Sequence, residues 1–192
     1  FEKYITSYNV VFLVEGHTSH RTYLLNKKTT AQKVEKFIGK GKAELDEKDK
    51  QIVRLIANDA RFNFLDIAQK TGLNIKTVQR RIKDLKNNEI IQGYITFLDP
   101  HKIGYNFFKL CIYLQNYETK YKSFLTYCME LPNIIHVIES LGPWELELEI
   151  ETESLEDFYN LTHQIRNEYS EIIKKTESVI ISKELKLDFF PE

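Results

Sequence analysis

From residue 145 to residue 151 the chain reads Glu-Leu-Glu-Leu-Glu-Ile-Glu, and this stretch constrains the fold more than any other. Side chains alternate across a strand with a period of two, so Leu146, Leu148 and Ile150 fall on one face and the glutamates on the other. A strand of this kind needs hydrogen-bonded neighbours and a cover for its aliphatic side. The flanking pattern supplies both, with strands expected over 106–114, 134–140, 144–151 and 177–187 and helices over 121–130 and 154–169. The β-α-β-β-α-β order is that of a ferredoxin-like α+β domain. The glutamate row is expected to be a solvated sheet face.

Upstream the period changes from two to 3.6. Ile52, Val53, Leu55 and Ile56 recur at helical spacing behind a charged start, and Phe64, Leu65, Ile67 and Ala68 do so again. Thr71-Gly72-Leu73-Asn74 interrupts, with Gly72 suited to a left-handed turn and Asn74 to a helix N-cap. A third helix is expected from Ile75 to about Lys86. Steps of about 100° put Ile75, Val78, Ile82 and Leu85 on one face and Lys76, Thr77, Arg80 and Lys83 on the other. Residues 90–96 read as a short extended wing, and Asp99-Pro100 with Gly104 marks a boundary. The expected organisation is therefore a winged helix-turn-helix over 44–104 and the ferredoxin-like domain over 105–192. Residues 1–43 are read as a hairpin and linker, with Asn9 to Val14 pairing Arg21 to Leu25 around Glu15-Gly16-His17 and a short helix over 30–38. Ile5 to Leu13 resembles Ile173 to Ile181, as the tail of a preceding repeat would.

Charge separates the two halves. Residues 1–100 carry 18 Lys+Arg against 12 Asp+Glu, a net of +6, and residues 101–192 carry 9 against 16, a net of −7. Phosphates can be met by the first half and not by the second, which a formal net charge of −1 conceals. Cys111 and Cys128 are too few for a disulfide framework or a thiolate zinc site, and no apolar run is long enough for a membrane helix. The opening residues carry no basic region of a secretory signal, and the expected location is the cytoplasm.

The ordered residues Leu45-Asp46, Ala60-Arg61, Asp66-Ile67-Ala68, Gly72-Leu73, Val78-Gln79-Arg80-Arg81-Ile82 and Ile90-Ile91-Gln92-Gly93-Tyr94 resemble the leucine-responsive regulatory protein/AsnC (Lrp/AsnC) family of feast/famine transcription regulators. The resemblance continues through Leu98-Asp99-Pro100 and Ile103-Gly104 and spans roughly residues 44–191. It implies a dimerising second domain of the RAM type that binds an amino acid near a glycine turn, here Leu141-Gly142-Pro143-Trp144-Glu145. Two positions depart from the family pattern. Glu89 stands where the family often has Gly, so Asn88 is expected to take the left-handed cap, and Glu145 stands where it usually has Asp.

From these readings the DNA-contacting set is Asn74, Lys76, Thr77, Gln79, Arg80, Arg81 and Lys83. Arg and Lys chelate guanine edges, Gln79 pairs with adenine, and Thr77 meets a phosphate or a thymine methyl. Gly142, Trp144 and Glu145 are the effector-binding candidates. The partners expected are double-stranded DNA, a second copy in a homodimer or higher even oligomer, and an amino acid or other small metabolite, with no membrane. A turn at Gly142-Pro143 brings His136 beside Glu147, but with no soft-ligand cluster neither a metal nor a cofactor is expected. No catalytic residue is assigned, for want of a Ser/His/Asp grouping or a Gly-rich phosphate loop. Two alternatives remain open: an enzyme like the sirohaem decarboxylases, which resemble the same two-domain arrangement, and an accessory sensor that does not bind DNA.

Overall fold

The computed structural model describes residues 6–25, 35–37 and 44–190. Among these, residues 44–97 and 184–190 form one compact unit, and residues 6–25, 35–37 and 98–183 form another.

The first unit is helical, with α1 (Glu47–Ala57), α2 (Phe64–Thr71) and α3 (Ile75–Asn87). Each begins at a short polar side chain, Asp46, Asn63 or Asn74, that accepts the backbone N–H three residues on and so satisfies one otherwise unpaired donor of the first turn. Ile52, Ile56, Ile67, Val78, Ile82 and Leu85 converge in its core. Ile75, expected on the packing face, is instead 41% exposed, because it sits on the first turn of α3 where the helix projects past the core. Between α2 and α3 the chain reverses at Gly72, whose φ of 69° is the left-handed value that the sequence leads one to expect. Nothing lies within 4 Å of a Cβ built there, so Gly72→Ala isolates backbone strain from packing. The expected loss is about 1–2 kcal/mol, read as a lower denaturation midpoint with an unchanged m-value.

The end of α3 departs from expectation. Asn88 stays right-handed (φ −87°, ψ 9°) and Glu89 itself takes φ 56°. The Ile90 N–H then returns to the Leu85 carbonyl at 2.9 Å, the closure a left-handed residue after a helix permits. Ile90 and Ile91 thereby tuck against the core, while residues 92–99 run without a ladder partner among the described residues. Phe190 also packs against this core, with the Arg54 guanidinium 5.9 Å from its ring centroid.

The second unit is an antiparallel sheet with two helices. Its strands are β1 (Phe12–Thr18), β2 (Glu35–Phe37), β3 (Asn106–Leu114), β4 (Ile134–Leu141), β5 (Leu146–Thr152) and β6 (Ile173–Ile181), in the order β2-β1-β4-β5-β3-β6, with α4 (Tyr121–Glu130) and α5 (Leu155–Glu168) in the crossovers. The sub-order β4-β5-β3-β6 with its two helices is the ferredoxin-like arrangement. Leu146, Leu148 and Ile150 are fully buried, as the alternation requires, beneath Phe124, Phe158 and Ile165 of the helices. Strand β6 begins and ends earlier than the expected 177–187, because its aliphatic residues pair along β3 from Leu114↔Ile173 to Phe107↔Ile181.

The N-terminal hairpin is not formed. Residues 12–18 run as one strand straight through Glu15-Gly16-His17, and 22–25 form a 3₁₀ turn rather than a returning strand. The edge of β4 offers a ready row of backbone donors and acceptors, and β1 takes it, from Phe12↔Leu141 to Thr18↔His136. Residues 35–37, expected in a short helix, instead pair with β1 as a strand; residues 30–34 and 38 of that helix lie outside the described residues.

Candidate nucleic-acid interface

Helix α3 is amphipathic with a sharp division of labour. Val78, Ile82 and Leu85 are buried against α1 and α2, and Lys76, Gln79, Arg80 and Lys83 are exposed on the outer side, with Thr77 half-buried beside them. Its start is rigid because the Asn74 side chain accepts the Thr77 N–H at 2.8 Å. Asn74 is thus employed as a cap, and its own side-chain amide N–H₂ group is what it has left for another partner. Near the end of the helix, Lys86 lies over the Tyr94 ring, 4.8 Å from the centroid. That pairing of a helix cation with an aromatic of the following segment has no signature in local periodicity.

Arg81 parts company with the other basic residues. Its Nη1 lies 2.7 Å from Asp46 Oδ2 and 2.8 Å from Asp49 Oδ1, so the guanidinium fastens α3 to the first turn of α1. The hydrogen bonds that Arg81 donates to Asp49 and then Asp46 hold its pKa above the ordinary value. The backbone N–H of Asp49, reinforced by Arg81, holds the Asp46 carboxyl below the usual carboxylate range. Arg81 therefore orients the helix, and the outward set reduces to Lys76, Thr77, Gln79, Arg80 and Lys83. A one-dimensional helical wheel cannot distinguish Arg80 from Arg81 on charge, since the difference lies in what α1 presents opposite each.

Residues 45–86, which span α1, α2, the Gly72 turn and all but the last residue of α3, match the AsnC-type helix-turn-helix domain. The chain thus carries an AsnC-type helix-turn-helix domain, and its relatives are transcriptional regulators of the Lrp/AsnC type. The chain is similar to the HTH-type transcriptional regulator FL11 of Pyrococcus furiosus, at 26% identity over 72% of this chain and 90% of that one. It is 40% identical to the HTH-type transcriptional regulator LrpA of Pyrococcus horikoshii over 62 residues, 32% of this chain and 44% of that one. Among solved structures it resembles Bacillus subtilis LrpC, with a TM-score of 0.64 and 26% identity over 75% of this chain and 99% of that chain. A Neisseria meningitidis transcriptional regulator solved as its L-Met complex shares the fold, with a TM-score of 0.70 and 15% identity over 78% and 97% of the two chains. These relatives are transcriptional regulators and not enzymes.

In the sheet unit of the regulator, Gly142, Trp144 and Glu145 do come together at the β4–β5 turn, and each is engaged by its own chain. The Glu145 carboxylate accepts the Leu114 N–H at 2.7 Å, and the Trp144 indole N–H donates to Glu147 at 2.9 Å. A Cβ at Gly142 would stand 2.9 Å from the Val10 carbonyl oxygen, so the segment before β1 lies directly on the turn.

The glutamate row is not a solvated face. Glu147 and Glu151 are 3% and 1% exposed, and each carboxylate has partners: Lys109 and Trp144 for Glu147, His136 and Lys109 for Glu149, Arg21 and Tyr23 for Glu151. His136 meets Glu149 at 2.8 Å rather than Glu147, because the unbroken register running from Glu139↔Leu146 carries His136 opposite Glu149 and puts Ile138 opposite Glu147. Burial pushes the Glu149 carboxyl up, but His136 and Lys109 outweigh it and hold it below the usual range. Beside it, burial and the neighbouring Glu147 push the Cys111 thiol up to about 11, which leaves it a small apolar core residue rather than a nucleophile.

Proposed function

We propose that this chain is a sequence-specific DNA-binding regulator that works as a homodimer or higher even oligomer in the cytoplasm, inserting α3 into the major groove. The observation that carries the reading is the exposure of Lys76, Gln79, Arg80 and Lys83 together on one side of a capped, well-packed helix. A helix fits the major groove, and these side chains offer donors for guanine and adenine edges and cations for phosphates. A two-fold dimer would present two such helices about 34–36 Å apart, matching successive major grooves. Among the described residues no helix is long and apolar enough to cross a membrane.

Sensing of an amino acid or other small metabolite belongs to the same reading. A Neisseria relative of this fold is an L-Met complex. In this chain a ligand at Gly142, Trp144 and Glu145 has to compete with the Leu114 N–H for the Glu145 carboxylate, so its binding is coupled to a local rearrangement. The test is selection of bound genomic fragments by the full chain, with and without amino acids, across a salt series. A defined set of fragments held with a steep salt dependence supports the regulator. Retention of no sequence above background sinks it, and an identical set with and without every amino acid removes the sensing role.

A further inference from the structure

Among the described residues of the sheet unit, one cluster of metal-ligating side chains uses residues other than Gly142, Trp144 and Glu145. Glu15 and His17 are two residues apart on β1 and so point to the same side of the sheet, and β1 pairs Glu15 with Glu139 of β4. His17 is 9% exposed, and its Nε2 faces two carboxylates at once, Glu15 Oε1 at 3.1 Å and Glu139 Oε1 at 3.4 Å. All three donor atoms lie within 4.8 Å of one another. A single imidazole N–H can donate one well-aligned hydrogen bond, and here two carboxylate oxygens lie within reach of the same nitrogen.

The spacing matches a different use. Bonds of about 2.0–2.2 Å to a tetrahedral ion put neighbouring donors about 3.3–3.6 Å apart, close to the two distances from His17 Nε2. The Tyr121 hydroxyl donates to Glu139 Oε2 at 2.8 Å, which holds that carboxylate with its other oxygen, Oε1, toward His17. Fixing a ligating carboxylate from behind in this way is what metal sites require of their surroundings. We propose that Glu15, His17 and Glu139 form a site for a divalent first-row transition ion, best suited to zinc, with a fourth position left to solvent. The donor set of one imidazole and two carboxylates, with no thiolate, fits zinc and its neighbours better than calcium or magnesium, which prefer oxygen alone. Two ligands come from β1 and one from β4, so the ion would clamp the N-terminal strand to the ferredoxin-like sheet. Strand β1 lies outside the roughly 44–191 stretch that resembles the family, which makes the clamp a property of this chain's own N-terminal addition.

The test is calorimetric titration of the chelator-stripped full chain with Zn²⁺ alone, with amide exchange of residues 12–18 as a second readout. One equivalent per chain should bind, and the ion should slow exchange along β1. His17→Gln and Glu139→Gln should each weaken binding by more than about 100-fold while far-UV circular dichroism stays unchanged, and Tyr121→Phe should weaken it by about 10–100-fold through looser placement of Glu139. His163→Gln, a substitution on the outer side of α5, should bind as the parent does. If His17→Gln should fail to fold, Glu15→Gln carries the same expectation. No stoichiometric binding by the folded parent chain overturns the proposal, and so does a site that survives in His17→Gln or Glu15→Gln.

Discussion

Arg80→Ala combined with Lys83→Ala is expected to remove most of the chain's DNA affinity while leaving its unfolding midpoint where it was. Both side chains are exposed, and among the described residues neither has a partner that holds the helix core together, so stability is expected to be insensitive to them. An Arg that chelates a guanine is worth about 1–3 kcal/mol, and a two-fold dimer contains the contact twice. For the Arg80 pair alone the loss is therefore about 2–6 kcal/mol, or roughly 30-fold to more than 10⁴-fold. The two residues separate in kind. Arg80→Ala should relax base preference at one position of each half-site, whereas Lys83→Ala should weaken all sequences alike and flatten the salt dependence by about one unit per half-site. Arg81→Ala makes the contrast: its guanidinium bridges Asp46 and Asp49, so its removal should lower the unfolding midpoint as well as affinity. Equal DNA affinity of the parent chain and the double variant across the salt series would sink the assignment of α3 as the reading helix.

What could be read from the sequence here was what depends on one element at a time. The alternation of 145–151 located β5 and its buried face, Gly72 located the turn, Asn74 located the cap, and the 100° wheel separated Val78 and Ile82 from Lys76 and Arg80. The misreadings share a physical cause, in that they turn on what a second element places opposite the first. Arg81 looks like Arg80 until Asp46 and Asp49 of α1 arrive beside it. The glutamates of β5 look solvated until Lys109, His136 and Arg21 are brought over them from three other segments. A hairpin within residues 9–25 is locally reasonable, but β4 offers β1 a longer ladder than residues 21–25 could. The capping of α3 shows the converse: Glu89 accepts a left-handed backbone because Ile90 and Ile91 gain burial by the turn, a tertiary return that no local propensity contains.

The second large effect is expected from Arg21→Ala, at a position that contributes nothing to the DNA-reading helix. Arg21 donates from Nε and from Nη2 to the two oxygens of Glu151, each at 2.8 Å, and Tyr23 donates to the same carboxylate. Glu151 is 1% exposed, near the end of β5 and opposite Phe107 of β3. Two parallel bonds from a planar guanidinium to a buried carboxylate form a geometry that Lys cannot reproduce. Removing the Arg leaves a buried charge with a single phenol for a partner, and breaking such a pair costs about 3–5 kcal/mol, far more than the pair contributes as a whole. The same loss should free the segment that carries Arg21, so amide exchange should accelerate along β1 as well as in residues 19–25. A further variant separates charge from packing. Glu151→Gln in the Arg21→Ala background removes the unpaired charge and should recover part of the stability, and that recovery is the coupling a double-mutant cycle measures. A deficit under about 1 kcal/mol, or one unchanged by Glu151→Gln, would mean that the N-terminal segment rests on the sheet through its backbone ladder alone and that the Arg21–Glu151 pair does not hold it there.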